Sequence, residues 1–398
     1  MSEVAQATHS SPDGHIPQLR FPGFSGVWRE NRLGNIARIF DGTHQTPKYV
    51  ENGIPFYSVE HITANQFDDT KYISEEVFER ENMRVKLERE DILMTRIGNI
   101  GMAKYIDWNV NASFYVSLAL IKKNESFNSK FLSQLIHSPN FQRQLWKRTI
   151  HVAFPQKINL GEIGKCESIL PTKPEQQKIA AFLTTVDNKI EQLSKKQELL
   201  GEYKKGLMQQ IFSQAIRFKA DDGSEFPDWE EKKLGGVGRI RKGSQLNKSE
   251  LTDTGDYPAI NGGINPSGYT DKWNTGKNTI TISEGGNSCG YINFITSKFW
   301  SGGHCYSIEE LKGDVLNRFL FQYLKFNEHL IMRLRVGSGL PNIQKGEINN
   351  FKVNLPSLEE QTKIANLLSS IDSKIEQVGK QLRESKQFKK ALLQQMFV

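Results

Sequence analysis

The chain has 398 residues, 37% hydrophobic and 24% charged, with a mean hydropathy of −0.52, enough for two or three separately cored domains. Its longest apolar run, "FYVSLALI" at 114–121, is far too short to cross a bilayer, and the polar first residues show no basic-then-apolar signal pattern. A formal charge of +7 and a pI near 9.0 suit a polyanionic partner, while Cys166, Cys289 and Cys305 lie too far apart for a disulfide framework or a CxxC zinc site, so a reducing cytoplasm is the expected setting.

Residues 1–24 read as a flexible tail, and 25–173 as an α/β domain of short apolar strands, glycine-rich turns and a helix in "SKFLSQLIHS". Three stretches of this domain offer donors to phosphates or base edges. The turn "RIFDGTHQTPK" carries Thr43, His44, Gln45 and Lys48, and "MTRIGNIG" carries Arg96 and Asn99. The stretch "LWKRTIHVAFPQK" carries Lys147, Arg148, His151 and Lys157, within a segment, 126–161, that has no acidic residue. A long helix is expected over 174–214, then a polar Gly- and Pro-bearing linker over 215–227.

A second α/β domain, 228–357, repeats the pattern. Its turn "RIRKGSQLNK" supplies Arg239, Arg241, Lys242, Ser244 and Gln245, and "ISEGGNSCG" supplies Asn287. The acid-free stretch 329–346 supplies Arg333, Arg335, Ser338, Asn342 and Lys345. Arg96 aligns with Glu284 and Asp41 with Lys242, sign changes that would suit different target bases. The glycines of "SEGGNSCG" lack the spacing of a phosphate-binding loop and read as a turn. A second long helix closes the chain over 358–398.

The two halves are copies. Residues 175–213 lie on 360–398 without a gap, identical at 18 of 39 positions, from Glu175-Gln176 against Glu360-Gln361 to "LMQQIF" against "LLQQMF". Trp28 answers Trp229 at an offset of 201 where the helices are offset by 185, so the first copy carries about 16 more residues in its middle. Apolar residues of the helices fall at Ile179, Leu183, Val186, Ile190 and Leu193, and at Ile364, Leu368, Ile371, Ile375, Val378 and Leu382. Their alternating spacing of four and three is a coiled-coil seam, which weakens at Gln197 and Lys204, and at Ser385 and Lys389, before resuming. Each helix could lie on its own domain, but so narrow and long a stripe buries best against another long helix. At 1.5 Å per residue each would span roughly 58 Å. Paired antiparallel, they would set two related domains about a pseudo-twofold axis, a geometry that suits half-sites on duplex DNA.

No chemistry stands out. The eight histidines show no metal spacing, there is no G-x-S-x-G elbow, and no Asn/Asp-Pro-Pro-aromatic tetrapeptide of an adenine methyltransferase is present. The chain reads as a non-catalytic reader of double-stranded DNA that binds no cofactor itself.

Two variable domains, each followed by a helix opening "PEQQKIAAFL" or "LEEQTKIANLL", together with "LRFPGFSGVWRENRLGNI", "GSGLPNIQKGEI" and "YPAINGGINPSGYT", resemble the specificity subunits of type I restriction-modification systems, the HsdS family. The resemblance implies two target-recognition domains reading a bipartite site, and an antiparallel coiled coil that sets the spacer and docks two modification subunits. Those would bind S-adenosylmethionine and methylate adenine, and two restriction subunits would use ATP and Mg for cleavage. A stand-alone DNA-binding regulator with the same pseudo-dimeric plan is the alternative, and a nuclease with an unrecognised site a third reading.

Overall fold

The computed structural model describes residues 15–337 and 339–398, so Ser338 lies outside the described residues. The chain forms two compact units, one comprising the described residues up to Ser194 with Lys380–Val398, the other Lys195–Gly379.

In the first unit, four antiparallel strands run in the order Ile39–Asp41, Leu118–Ile121, Ile92–Thr95, Ala103–Tyr105. The two central strands, "LALI" and "ILMT", are buried at every position, because the sheet is covered on both faces and alternation would leave polar groups inside. A second sheet orders Tyr49–Val50, Lys71–Ile73, Ile54–Tyr57 and Ser113–Phe114, the last pair parallel. A two-stranded ribbon, Arg29–Arg32 with Glu167–Leu170, closes the domain beside the long helix.

The second unit repeats this topology. Arg239–Lys242, Cys305–Glu309, Thr279–Ser283 and Ile292–Ile295 form the antiparallel sheet, and Gly268–Thr270, Tyr257–Ile260 and Trp300–Ser301 the smaller one. Glu230–Lys233 with Lys352–Leu355 is its ribbon. The duplication therefore extends through the interiors where sequence identity has faded. The additional residues of the first copy go into two short helices, Val59–Ala64 and Glu75–Asn82, in the connections flanking strand Lys71–Ile73.

The long helices are Lys173–Phe212 and Leu358–Gln395. Within the first unit, Leu183 near the start of one shares a core with Leu392 near the end of the other; within the second, Met208 and Ile211 near the end of the first share a core with Ile364 and Leu368. The pairing is antiparallel in both. The seam residues Ile179, Leu183, Leu193, Ile364, Leu368, Ile371, Val378 and Leu382 are buried, while Val186, Ile190 and Ile375 are half-buried.

The repeated helix ends have a matching purpose. Phe397 sits edge-on to Trp28 and tilted against Phe131 in the first unit, and Phe212 packs on Phe319, Tyr323 and Phe326 in the second. Each long helix thus ends in the core of the unit built around the opposite domain. Burying Phe397 in this way contributes about 1.5–3 kcal/mol, and the half-buried Phe212 less.

The repeated Glu-Gln at the helix starts joins domain to helix. Glu175 and Glu360 are buried, and each carboxylate accepts from an arginine: Arg20 at 2.7 Å to both oxygens, and Arg217 at 2.7 and 3.2 Å. The Gln176 and Gln361 carbonyls accept the backbone N–H of Asn128 and Leu316, while their amides donate to Pro171 and Pro356. These two arginines each precede a phenylalanine, a match that extends the repeat upstream of Trp28 and that the sequence reading missed.

The expected tail, 1–24, is docked from His15 onward. Leu19 N–H donates to the Gln395 carbonyl at 2.9 Å, Trp28 N–H to the His15 carbonyl at 2.9 Å, and Phe21 meets Phe182 edge-on. The buried Glu175 charge requires Arg20 as partner, and this holds the segment down.

Candidate nucleic-acid interface

In each unit the three stretches singled out by sequence converge, and main-chain hydrogen bonds bring them together. In the first unit, Thr43 N–H donates to the Phe114 carbonyl at 3.1 Å and Val116 N–H to the Thr43 carbonyl at 3.0 Å, fixing the 43–48 turn. Gly98 N–H donates to the Gln156 carbonyl at 2.8 Å, Ile158 N–H to the Arg96 carbonyl at 2.9 Å, and Ile150 N–H to the Lys157 carbonyl at 2.8 Å. The 96–101 loop is thereby laced to the 150–158 hairpin.

The second unit repeats four of these five bonds. Ser244 N–H donates to the Ser301 carbonyl, Gly286 N–H to the Pro341 carbonyl, Ile343 N–H to the Glu284 carbonyl and Val336 N–H to the Asn342 carbonyl, all within 2.8–3.0 Å. Lys157 therefore corresponds in space to Asn342, while Lys345 begins the helix Lys345–Asn350. Gly42 and Gly243 are required here. A Cβ on either would lie 2.0 and 2.2 Å from the carbonyl oxygens of Phe114 and Gly302.

Most named side chains reach solvent. His44, Gln45, Lys48, Asn99, Lys147, His151 and Lys157 are exposed in the first unit, and Arg239, Lys242, Ser244, Gln245, Asn287, Arg333, Arg335, Asn342 and Lys345 in the second. Thr43, Arg148 and Arg241 are half-buried. Arg148 donates to the Gln144 and Lys165 carbonyls, and Arg241 to the Asn274 carbonyl at 2.7 Å and to Thr275 Oγ1 at 2.9 Å. Arg239 pairs with Glu310 at 2.8 Å.

Arg96 corrects an expectation. It is only 8% exposed, and its guanidinium donates to the Ile158 carbonyl at 3.1 Å and the Val116 carbonyl at 2.8 Å, with Asp41 3.7 Å away. Burial pulls its pKa down, and Asp41 partly offsets this. Asp41 is itself buried, which would raise its pKa, but pairing with Arg84 and His44 holds it below the usual carboxylate range.

At the equivalent place in the second unit, Glu284 pairs with Lys242, accepts from the Tyr306 hydroxyl at 3.0 Å and lies 3.4 Å from His304. Burial raises its pKa, yet Lys242 and Tyr306 bring the balance below the ordinary value. The two sign changes between the copies therefore fall on positions that pair with each other. Asp41 with Arg96 and Lys242 with Glu284 form the same ion pair with its polarity inverted, tying the first stretch to the second.

The structure adds residues that the sequence reading passed over. At the hairpin tips stand apolar side chains in open solvent: Val152 (97% exposed) and Phe154 (103%) in the first unit, Leu340 (85%) in the second. Trp146, 65% exposed, packs tilted against His151 with ring centroids 4.8 Å apart, and the His151 ring nitrogen meets the Trp146 carbonyl at 2.9 Å. The usable signal was an isolated apolar residue inside an acid-free stretch.

Among the described residues, no group of three or more His, Cys, Asp or Glu side chains is placed to hold a metal ion, and no helix is long and apolar enough to cross a membrane.

A family model described as the type I restriction modification DNA specificity domain matches residues 26–200 and again 227–384. The putative type I restriction enzyme MjaX specificity subunit of Methanocaldococcus jannaschii is 27% identical over 394 residues, covering 92% of this chain and 92% of that protein. A putative type I specificity subunit of Mycoplasma pneumoniae is 31% identical over 172 residues, 43% of this chain and 46% of its own. The crystal structure of a type I restriction-modification S subunit from M. genitalium shares the fold, with a TM-score of 0.70 at 18% identity, covering 96% of this chain and 99% of that one.

Proposed function

Because the chain belongs to the family of type I restriction-modification DNA specificity subunits, we propose that it selects the target for a methyltransferase and endonuclease while catalysing neither reaction. Each unit reads one half of a bipartite duplex site. The paired long helices hold the gap between half-sites and offer their exposed faces to two modification subunits. Those subunits carry S-adenosylmethionine and methylate adenine after turning the base out of the stack, since its exocyclic amine is unreachable inside the duplex. Two restriction subunits, using ATP and Mg, complete the nuclease, and the assembly works in the cytoplasm.

The observation carrying this reading is the three-stretch face that occurs in each unit, laced by four matching hydrogen bonds and flanked by acid-free sequence. Exposed Lys147 and Lys157, and Arg333, Arg335 and Lys345, supply the positive field that phosphate contacts need. Asn99, Gln45, Asn287 and Gln245, exposed beside them, have the paired donor and acceptor that suit adenine's major-groove edge. The side chains around the two faces differ, so the half-sites differ.

The test is a methylome. N6-methyladenine is mapped by long-read sequencing in cells carrying this chain with its modification subunit, against cells lacking the chain. A new split motif, methylated on both strands across a fixed gap, is the expected result. No new methylation, while the same modification subunit works with another specificity chain, refutes the reading.

A further inference from the structure

We propose that two polar triads, one in each unit, lock the register of the paired long helices and thereby determine the gap between half-sites; the second clause rests on the function proposed above. In the first unit, Asp187 accepts from Gln134 Nε2 at 2.7 Å and from Lys389 Nζ at 2.6 Å. In the second, Asp372 accepts from Gln322 Nε2 at 2.7 Å and from Lys204 Nζ at 2.7 Å. The aspartates and the lysines are repeat equivalents, both offset by 185, and each lysine fills a place where the apolar seam lapses. Each triad joins both long helices to a domain helix, Ser129–Ile136 or Asn317–Phe326.

From one triad to the other, position advances from 187 to 204 along the first long helix and retreats from 389 to 372 along the second, as a single antiparallel register demands. An apolar seam alone tolerates a slip of one heptad, because its repeat returns every seven residues. The triads do not. Such a slip sets Asp187 against Leu382 or Met396, and Asp372 against Gln197 or Ile211, breaking both ion pairs at the helix interface. The aspartate side chains are 36% and 43% exposed, so the ion pairs add little to stability; their effect is discrimination against the wrong pairing. One heptad corresponds to about 10 Å along a helix, or about 3 base pairs of duplex.

The experiment replaces both aspartates by leucine (Asp187→Leu with Asp372→Leu) in the full chain, co-expressed with the modification subunit, and reads the methylome. The expected result is unchanged half-site sequences methylated at the wild-type gap and at a further gap about 3 base pairs longer or shorter. A second variant inverts both ion pairs (Asp187→Lys with Lys389→Asp, and Asp372→Lys with Lys204→Asp). The Oε1 atoms of Gln134 and Gln322 have no partner among the described residues, so an amide turn lets each accept from the new lysine. This variant is expected to methylate at the wild-type gap alone.

Methylation by the leucine variant confined to the wild-type gap, at any level, overturns the proposal, since that is what a merely structural role gives. Where the leucine variant does not assemble, the inverted variant decides: mixed gaps or no methylation overturn the proposal. A wild-type control without a split motif overturns the functional reading instead.

Discussion

Replacing Glu360 by alanine should cost the second unit about 3–4 kcal/mol. The carboxylate is fully buried and accepts three hydrogen bonds, two from Arg217 and one from Trp229 Nε1 at 3.2 Å. Breaking a buried pair by removing one partner typically costs about 3–5 kcal/mol because the other charge is left uncompensated. Here the cost is trimmed, since the Arg217 side chain is 18% exposed and keeps the Pro227 carbonyl at 2.7 Å. The orphaned indole N–H adds about 1 kcal/mol. Glu175→Ala should cost about 1 kcal/mol less, because Trp28 Nε1 has no hydrogen-bond partner among the described residues and loses nothing. Urea unfolding gives the totals, and hydrogen exchange of amides over 216–231 localises the loss. Glu198→Ala, which removes an exposed pair with Lys195, is the control and should change stability by less than about 0.5 kcal/mol. If Glu360→Ala is no more damaging than Glu198→Ala, the buried carboxylate does not anchor the domain to the helix and the reasoning fails.

Arg96→Glu should destabilise the first unit by more than about 2 kcal/mol, and adding Asp41→Lys should restore about 1 kcal/mol by rebuilding the inverted pair, measured as a double-mutant cycle. Acid should weaken the second unit through Glu284. Its pKa lies below the ordinary 4.5, so the stability it supplies is present above that value and is lost as pH falls through the lower, folded one; Glu284→Gln should flatten that part of the melting profile. Cys166 and Cys305, buried and pushed up to about 11, should resist iodoacetamide at pH 8 in the native protein and react on unfolding, as read by mass spectrometry. Phe154→Ala should leave the melting temperature unchanged, since the ring touches solvent only, while weakening binding of the assembled complex to its target in fluorescence anisotropy.

Much of this was legible in order along the chain. The offset of 185, the four-and-three spacing and the terminal "QQMF" and "QQIF" determine two long helices and two equivalent halves, because periodicity and duplication are local properties of sequence. The acid-free stretches likewise marked segments that come together in each unit. What tertiary structure alone decided is how charges are spent. Asp41 and Arg96 lie 55 positions apart and Lys242 and Glu284 lie 42 apart, on strands and loops whose adjacency comes from sheet order, so an arginine read as a DNA contact proves to be an internal tie. Lys204 and Lys389, seen in sequence as lapses in an apolar seam, become register marks only when the partner helix places an aspartate opposite. Arg20, in what reads as a tail, is held by a carboxylate 155 residues away. A charge has no fixed meaning in sequence because its free energy depends on its dielectric surroundings and its partner, and both are chosen by the fold.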